Sequence, residues 1–85
     1  MPQTEEKPAL RALRLIAAGD QDRAHRLVQD DPSSEAAWVH AHLHRVEGDL
    51  ANAGYWYRRA GRPQPTMSPD DERQAIARAL GGPVS

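Results

Sequence analysis

The strongest constraint on the fold is a repeated Gly-Asp step, found at residues 19–20 and again 29 residues later at 48–49. Each step follows one stretch with helical apolar spacing and precedes another, and an alanine, Ala24 or Ala53, stands four residues after the aspartate. Glycine ends a helix readily because it adopts the left-handed conformation, and aspartate caps the helix that follows. The small alanine lets two helices approach closely. The repeat therefore predicts two antiparallel helix hairpins.

The spacing of apolar residues predicts five helices and no strand. The expected fold is all-α, with two stacked antiparallel hairpins of tetratricopeptide-like form and a C-terminal fifth helix, in a single domain over residues 1–85. The predicted segments are a hairpin at 5–30, a hairpin at 34–60, a loop at 61–68 and a capping helix at 69–80.

Composition excludes several functional classes. The net charge of −1 provides no general attraction for nucleic acid or an anionic membrane, so neither is expected as a partner. The chain lacks cysteine, which excludes disulfides, thiolate metal sites and thiol nucleophiles. No leader-like or membrane-length apolar segment is visible, so the expected location is the cytoplasm. The abundance of alanine and arginine suggests a bacterial gene.

The second Gly-Asp step carries a family resemblance. The segments "AAW" and "EGDLANAGYWYRRAGRP" resemble the tetratricopeptide repeat and its Sel-like relatives, and the block "HxxxHRxEGDxxNAxYWYRRAG" is similar to that of a set of small bacterial and fungal proteins. The resemblance covers about half the chain and implies a helical-repeat fold but no reaction. His40 and His44 stand where a Leu and a Tyr are usual. The frame is matched by Gly48, Asp49, Ala53, Tyr57, Ala60 and Pro65, and in the first copy by Gly19, Asp20 and Ala24.

The histidines of the predicted third helix, about residues 34–47, allow two interpretations. His40 and His44 lie one helical turn apart, and Glu47 falls in the same sector, so the three side chains can chelate a divalent metal ion. Asp49 and His25 are candidate further ligands without a fixed position. The favoured alternative is structural: the imidazoles lie at a contact between two helices and are hydrogen-bonded to polar groups of the predicted fourth helix, about residues 50–60. On that interpretation no metal or cofactor is expected.

The remaining polar and aromatic residues favour a contact surface over a catalytic site. The chain offers no nucleophile paired with a base and no phosphate-binding loop, so an enzyme is not expected. The sequence predicts a protein-interaction module with an unidentified protein partner, forming a homodimer because two hairpins leave apolar ends uncovered. The metal- or ligand-binding protein is the alternative. The predicted contact residues are Trp38, His42, Arg45, Tyr55, Arg58 and Arg59.

Overall fold

A computed structural model of the chain describes residues 7–81, and in this range the backbone forms five α-helices and no strand. The first two helices pack together as one hairpin and the next two as a second hairpin. The all-α prediction with two antiparallel hairpins and a fifth helix is thus confirmed. The helices are α1 (Pro8–Ala17), α2 (Gln21–Gln29), α3 (Ser34–Val46), α4 (Leu50–Ala60) and α5 (Pro69–Ala79).

The two Gly-Asp steps form the bends of the hairpins. Gly19 and Gly48 follow α1 and α3 with φ of 89° and 84°, a region open to glycine at little cost. The carboxylates of Asp20 and Asp49 each accept a hydrogen bond from the backbone N–H three residues further on, which caps α2 and α4. The reversal of the chain at each bend is therefore fixed locally.

Helix α3 is the centre of the molecule, because it packs against each of the other four helices. Seven of its thirteen residues are buried, so it lacks the single apolar stripe of a surface helix. Val39 and Leu43 join the main apolar core, while Val46, at the end of the helix, is 37% exposed. The core also contains Ala9, Ala12, Leu13, Ala24, Val28, Ala36 and Ile76.

Helix α5 packs against α1 and α3 and so covers one end of the hairpin pair. Ile76 supplies its buried apolar contact, whereas Ala79, the last residue of the helix, is exposed. In α1, Ala12 is buried and Ala17, the last residue of that helix, is exposed. Residues 5 and 6 of the predicted first helix lie outside the described residues. No helix between residues 7 and 81 is long and apolar enough to cross a bilayer.

A buried carboxylate, Glu72, joins α5 to α3 and α4. Its Oε1 accepts hydrogen bonds from His42 Nδ1 at 2.7 Å and Arg45 Nη1 at 3.0 Å, and its Oε2 accepts one from the Tyr57 hydroxyl. Burial alone would raise the pKa of Glu72, but the hydrogen bonds from His42 and Tyr57 and the cationic Arg45 outweigh it and lower that pKa. Burial, followed by the bond to Glu72, raises the pKa of Tyr57. The carboxylate therefore stays ionised inside the fold.

We expect Tyr57→Phe to lower the free energy of unfolding by about 2 kcal/mol, because it removes a hydrogen bond to a buried charge. Glu72 has a pKa below its usual value of 4.5 in the folded state, so its contribution to stability is lost as pH falls below about 4.5. Without the tyrosine hydroxyl the folded-state pKa rises, and the variant loses less stability on acidification. Urea unfolding at neutral pH and below pH 4.5 measures both effects.

Tyr55→Phe is the matched control, since Tyr55 is exposed and makes no contact with Glu72. Equal acid dependence in wild type and Tyr57→Phe would contradict the assigned role of the carboxylate.

Gly54, in the middle of α4, lies close to the side chain of Gln64 in the loop that follows this helix. A Cβ at this position would lie 2.9 Å from the amide nitrogen of Gln64, at the flexible end of a long side chain that can move aside. We therefore expect Gly54→Ala to raise the free energy of unfolding by about 0.5 to 1 kcal/mol through helix propensity. Gly61→Ala, at a φ of 72°, should instead lower it by about 1 kcal/mol. A clear loss of stability in Gly54→Ala, measured by urea unfolding, would show that Gln64 and its loop cannot move away from the added methyl group.

Candidate metal centre

Three imidazoles converge between the two hairpins. His25 comes from α2, and His40 and His44 come from α3. One ring nitrogen from each residue can be chosen so that all three lie within 4.8 Å of one another. The closest pair, Nε2 of His25 and Nε2 of His40, is 3.0 Å apart. The rings of His40 and His44 stack with centroids 4.9 Å apart, and His25 meets both of them edge-on.

Local sequence brings the three residues together. His40 and His44 are one turn apart and therefore share a face of α3. The chain between α2 and α3 spans only residues 30–33, so α2 packs directly beside α3. His25 follows the fully buried Ala24, whose small side chain allows this close approach. The trio thus depends on one helical turn and one short loop.

The environment of His40 keeps its imidazole uncharged. Its side chain is 4% exposed, and the indole of Trp56 stacks on its ring at a centroid distance of 4.0 Å. Burial, and then the proximity of His25 and His44, lowers the pKa of His40 to about 4. At neutral pH this residue therefore offers a nitrogen lone pair without first releasing a proton.

Two ring nitrogens of the trio are buried without a hydrogen-bond partner, Nδ1 of His40 and Nδ1 of His44. Glu47 Oε1 lies 3.3 Å from Nδ1 of His44, near enough for an attraction between charges but not aligned for a hydrogen bond. The Glu47 side chain is 46% exposed and lies at the outer edge of the site. A carboxylate in this position orients a ligating imidazole when the other ring nitrogen binds a metal.

The spacing of the nitrogens fits a transition metal ion. Nitrogens held about 2.0–2.1 Å from a tetrahedral Zn²⁺ lie roughly 3.4 Å apart. The His25–His40 separation of 3.0 Å is that of a hydrogen bond and is slightly shorter than the zinc value, while nitrogens as far as 4.8 Å apart would have to approach by roughly 1.4 Å through side-chain rotation. His25 and His44 are only partly buried, so solvent can reach the site from their side.

The structure alters the ligand set predicted from the sequence. His40 and His44 do lie together, but the third member of the cluster is His25, and Glu47 stands outside it. Asp49 is engaged in capping α4 and in a hydrogen bond from Asn52, which lowers the pKa of Asp49. The predicted hydrogen bonds from His40 and His44 to α4 are not formed. Instead His40 is hydrogen-bonded to His25, and the indole of Trp56 stacks on its ring. Helical spacing could not identify His25, because its position depends on how α2 packs on α3.

The predicted contact residue His42 is the clear error, because its side chain is 1% exposed and hydrogen-bonded to Glu72. Helix α5 covers the side of α3 on which His42 lies. Arg45 is also largely withdrawn from solvent, with its guanidinium bound to Glu72 and to the carbonyl of Met67. Neither residue offers a free surface in this fold.

The other predicted contact residues reach the surface to different extents. Tyr55 is 44% exposed, and Arg58 and Arg59 are exposed beside it on α4. Arg59 Nη1 donates a hydrogen bond to the Tyr55 hydroxyl at 3.1 Å. Trp38 is half-buried on the other side of α3, with the guanidinium of Arg62 lying 3.9 Å above its ring. The six residues therefore do not form one continuous face.

Comparison with protein-family models, with curated proteins and with solved structures gave no match to this chain. The resemblance to tetratricopeptide and Sel-like repeats accordingly stays a prediction.

Proposed function

We propose that this protein binds one divalent transition metal ion through His25, His40 and His44. The observation that carries the proposal is the convergence of three imidazole nitrogens, from two different hairpins, within 4.8 Å. Imidazole nitrogen is a good ligand for zinc, copper and nickel, and a poor one for magnesium and calcium. Zinc is the ion with which we expect binding to be measured.

The site has features that a purely structural cluster lacks. Buried polar atoms are normally hydrogen-bonded, yet two imidazole nitrogens here have no such partner. Within the trio, His25 and His40 share one hydrogen bond through their Nε2 atoms, so the three imidazoles are joined to one another by a single hydrogen bond. A metal ion bound by one nitrogen of each ring would replace the His25–His40 hydrogen bond, and the carboxylate of Glu47, 3.3 Å from Nδ1 of His44, would offset part of the ion's charge.

Metal binding would connect the two hairpins, because His25 lies on the first and the other two ligands on the second. Three protein ligands leave a fourth tetrahedral position, reached from the partly exposed side, for water or a ligand from another molecule. An ion present at a hundred times its dissociation constant would stabilise the folded chain by about 2.7 kcal/mol.

The ligand set is tested by isothermal titration of the metal-free protein with zinc, together with thermal unfolding with and without EDTA. We expect one ion per chain, and a thermal transition that zinc raises and EDTA reverses. Glu47→Gln should weaken binding roughly tenfold, as loss of an outer carboxylate does. His25→Ala should weaken it by more, since it removes a direct ligand.

Arg26→Ala is the matched control for His25→Ala, because Arg26 is the exposed neighbour on the same helix. Unchanged zinc affinity in His25→Ala would contradict the proposal, and so would the absence of one-to-one binding in the wild type. If Glu47→Gln abolished binding while His25→Ala did not, the ligand set inferred from sequence alone would be the better one.

A second candidate function is protein interaction, with self-association as its proposed form, through the outer face of α4. Tyr55 is exposed there, and no carboxylate between residues 7 and 81 lies within ion-pair distance of Arg58 or Arg59. Tyrosine and arginine are enriched in protein interfaces. The resemblance to Sel-like repeats also favours an interaction module, and a homodimer remains the proposed form of self-association.

Light scattering over a range of protein concentrations tests self-association through this face. We expect a dimer in the wild type and a shift towards monomer in Tyr55→Ala and in the double variant Arg58→Ala/Arg59→Ala. The double variant Arg23→Ala/Arg26→Ala on α2 is the control of equal charge change for Arg58→Ala/Arg59→Ala. A monomer at all concentrations, or a dimer unaffected by the α4 variants, would contradict the proposal that the chain self-associates through α4.

A further inference from the structure

An apolar cavity of about 190 Å³ lies on the side of α3 remote from the histidine trio. The indole of Trp38 and the side chain of Ala75 line it, together with Pro63, Pro65 and Met67 of the loop between α4 and α5. An apolar cavity of about 150 Å³ is large enough to hold benzene. The space therefore suits a single aromatic ring.

The loop that walls the cavity is held in place at several points. The backbone N–H of Arg62 donates to the carbonyl of Tyr57 at 2.9 Å, immediately after the left-handed Gly61. The guanidinium of Arg45 donates to the carbonyl of Met67 at the far end of the loop. Between these points Gln64 lies against Gly54. The cavity is thus bounded by anchored chain.

Charge at the cavity distinguishes between ligands. Arg62 lines it and stacks on Trp38, and no carboxylate in the described part of the chain lies within ion-pair distance of its guanidinium. Glu72 also lines the cavity, but both of its oxygens already accept hydrogen bonds, and Arg45 compensates its charge. The uncompensated charge beside the cavity is therefore positive.

We infer that this cavity is a binding site for a small aromatic carboxylate. The ring would occupy the apolar space against Trp38, and the carboxylate would pair with the guanidinium of Arg62, which matches its planar two-oxygen geometry. This site is separate from the proposed metal centre and does not depend on it.

Benzoate and its uncharged analogue benzyl alcohol are the probes, titrated into ¹⁵N-labelled protein in the presence of EDTA. The indole N–H resonance of Trp38 reports the cavity, and that of Trp56, which stacks on His40, reports the metal centre. We expect benzoate to shift the Trp38 signal, leave the Trp56 signal in place and bind about tenfold more tightly than benzyl alcohol. EDTA prevents the carboxylate from binding through a metal ion.

Arg62→Gln should remove the preference for benzoate while leaving benzyl alcohol binding unchanged, and Arg26→Gln on α2 should alter neither. Ala75→Leu, which fills the cavity, should abolish binding of both probes. Equal affinity for the two probes in the wild type would overturn the inference, as would a benzoate affinity unaffected by Arg62→Gln. A response confined to Trp56, or no response of Trp38 at millimolar benzoate, would overturn it as well.

Discussion

The structure depends on the position of α3, which packs against all four other helices described between residues 7 and 81. The buried middle of such a helix cannot direct its polar side chains to water. His40 and His44 therefore face α2 and α4, and His42 with Arg45 faces α5. The polar clusters at these two contacts are separate consequences of this one constraint.

The two clusters differ in how well their hydrogen bonds are satisfied. The carboxylate of Glu72 accepts bonds from His42, Arg45 and Tyr57, so its charge is neutralised and its oxygens are occupied. A buried network that is fully satisfied holds a fold together. The trio of His25, His40 and His44 instead contains buried nitrogens without partners. Three convergent imidazoles with incomplete hydrogen bonding, in a partly open site, suit a metal ion, and this difference separates a structural cluster from a candidate functional one.

The helices and bends could be predicted from the sequence because their signals are local. Gly48 and Asp49 specify a bend whatever surrounds them, and Val39 and Leu43 lie a turn apart on the core side of α3. His42 could not be placed in the same way, because helical periodicity gives the direction of a side chain and not the identity of what packs there. Its partner, Glu72, lies thirty residues further along the chain. From sequence, Glu72 is only an acidic residue suited to the first turn of a helix.

The candidate site was half predictable for the same reason. His40 and His44 are neighbours on one helix, so their spacing alone indicates a pair of ligands. His25 joins them only because α2 packs beside α3 behind a small alanine, which is a property of the tertiary structure. Glu47 follows the helical spacing but lies at the rim, where its side chain is partly exposed. A ligand set drawn from two helices could not be read from the periodicity of one.

X-ray absorption spectroscopy of the zinc-loaded protein tests the central claim most directly, since it reports which atoms surround the ion. We expect three imidazole nitrogens at about 2.0 Å, with the outer-ring scattering typical of histidine, and one oxygen ligand in the fourth position. A coordination shell made of oxygen atoms, or one that contains fewer than three imidazoles, would show that the cluster between the hairpins is not a metal centre.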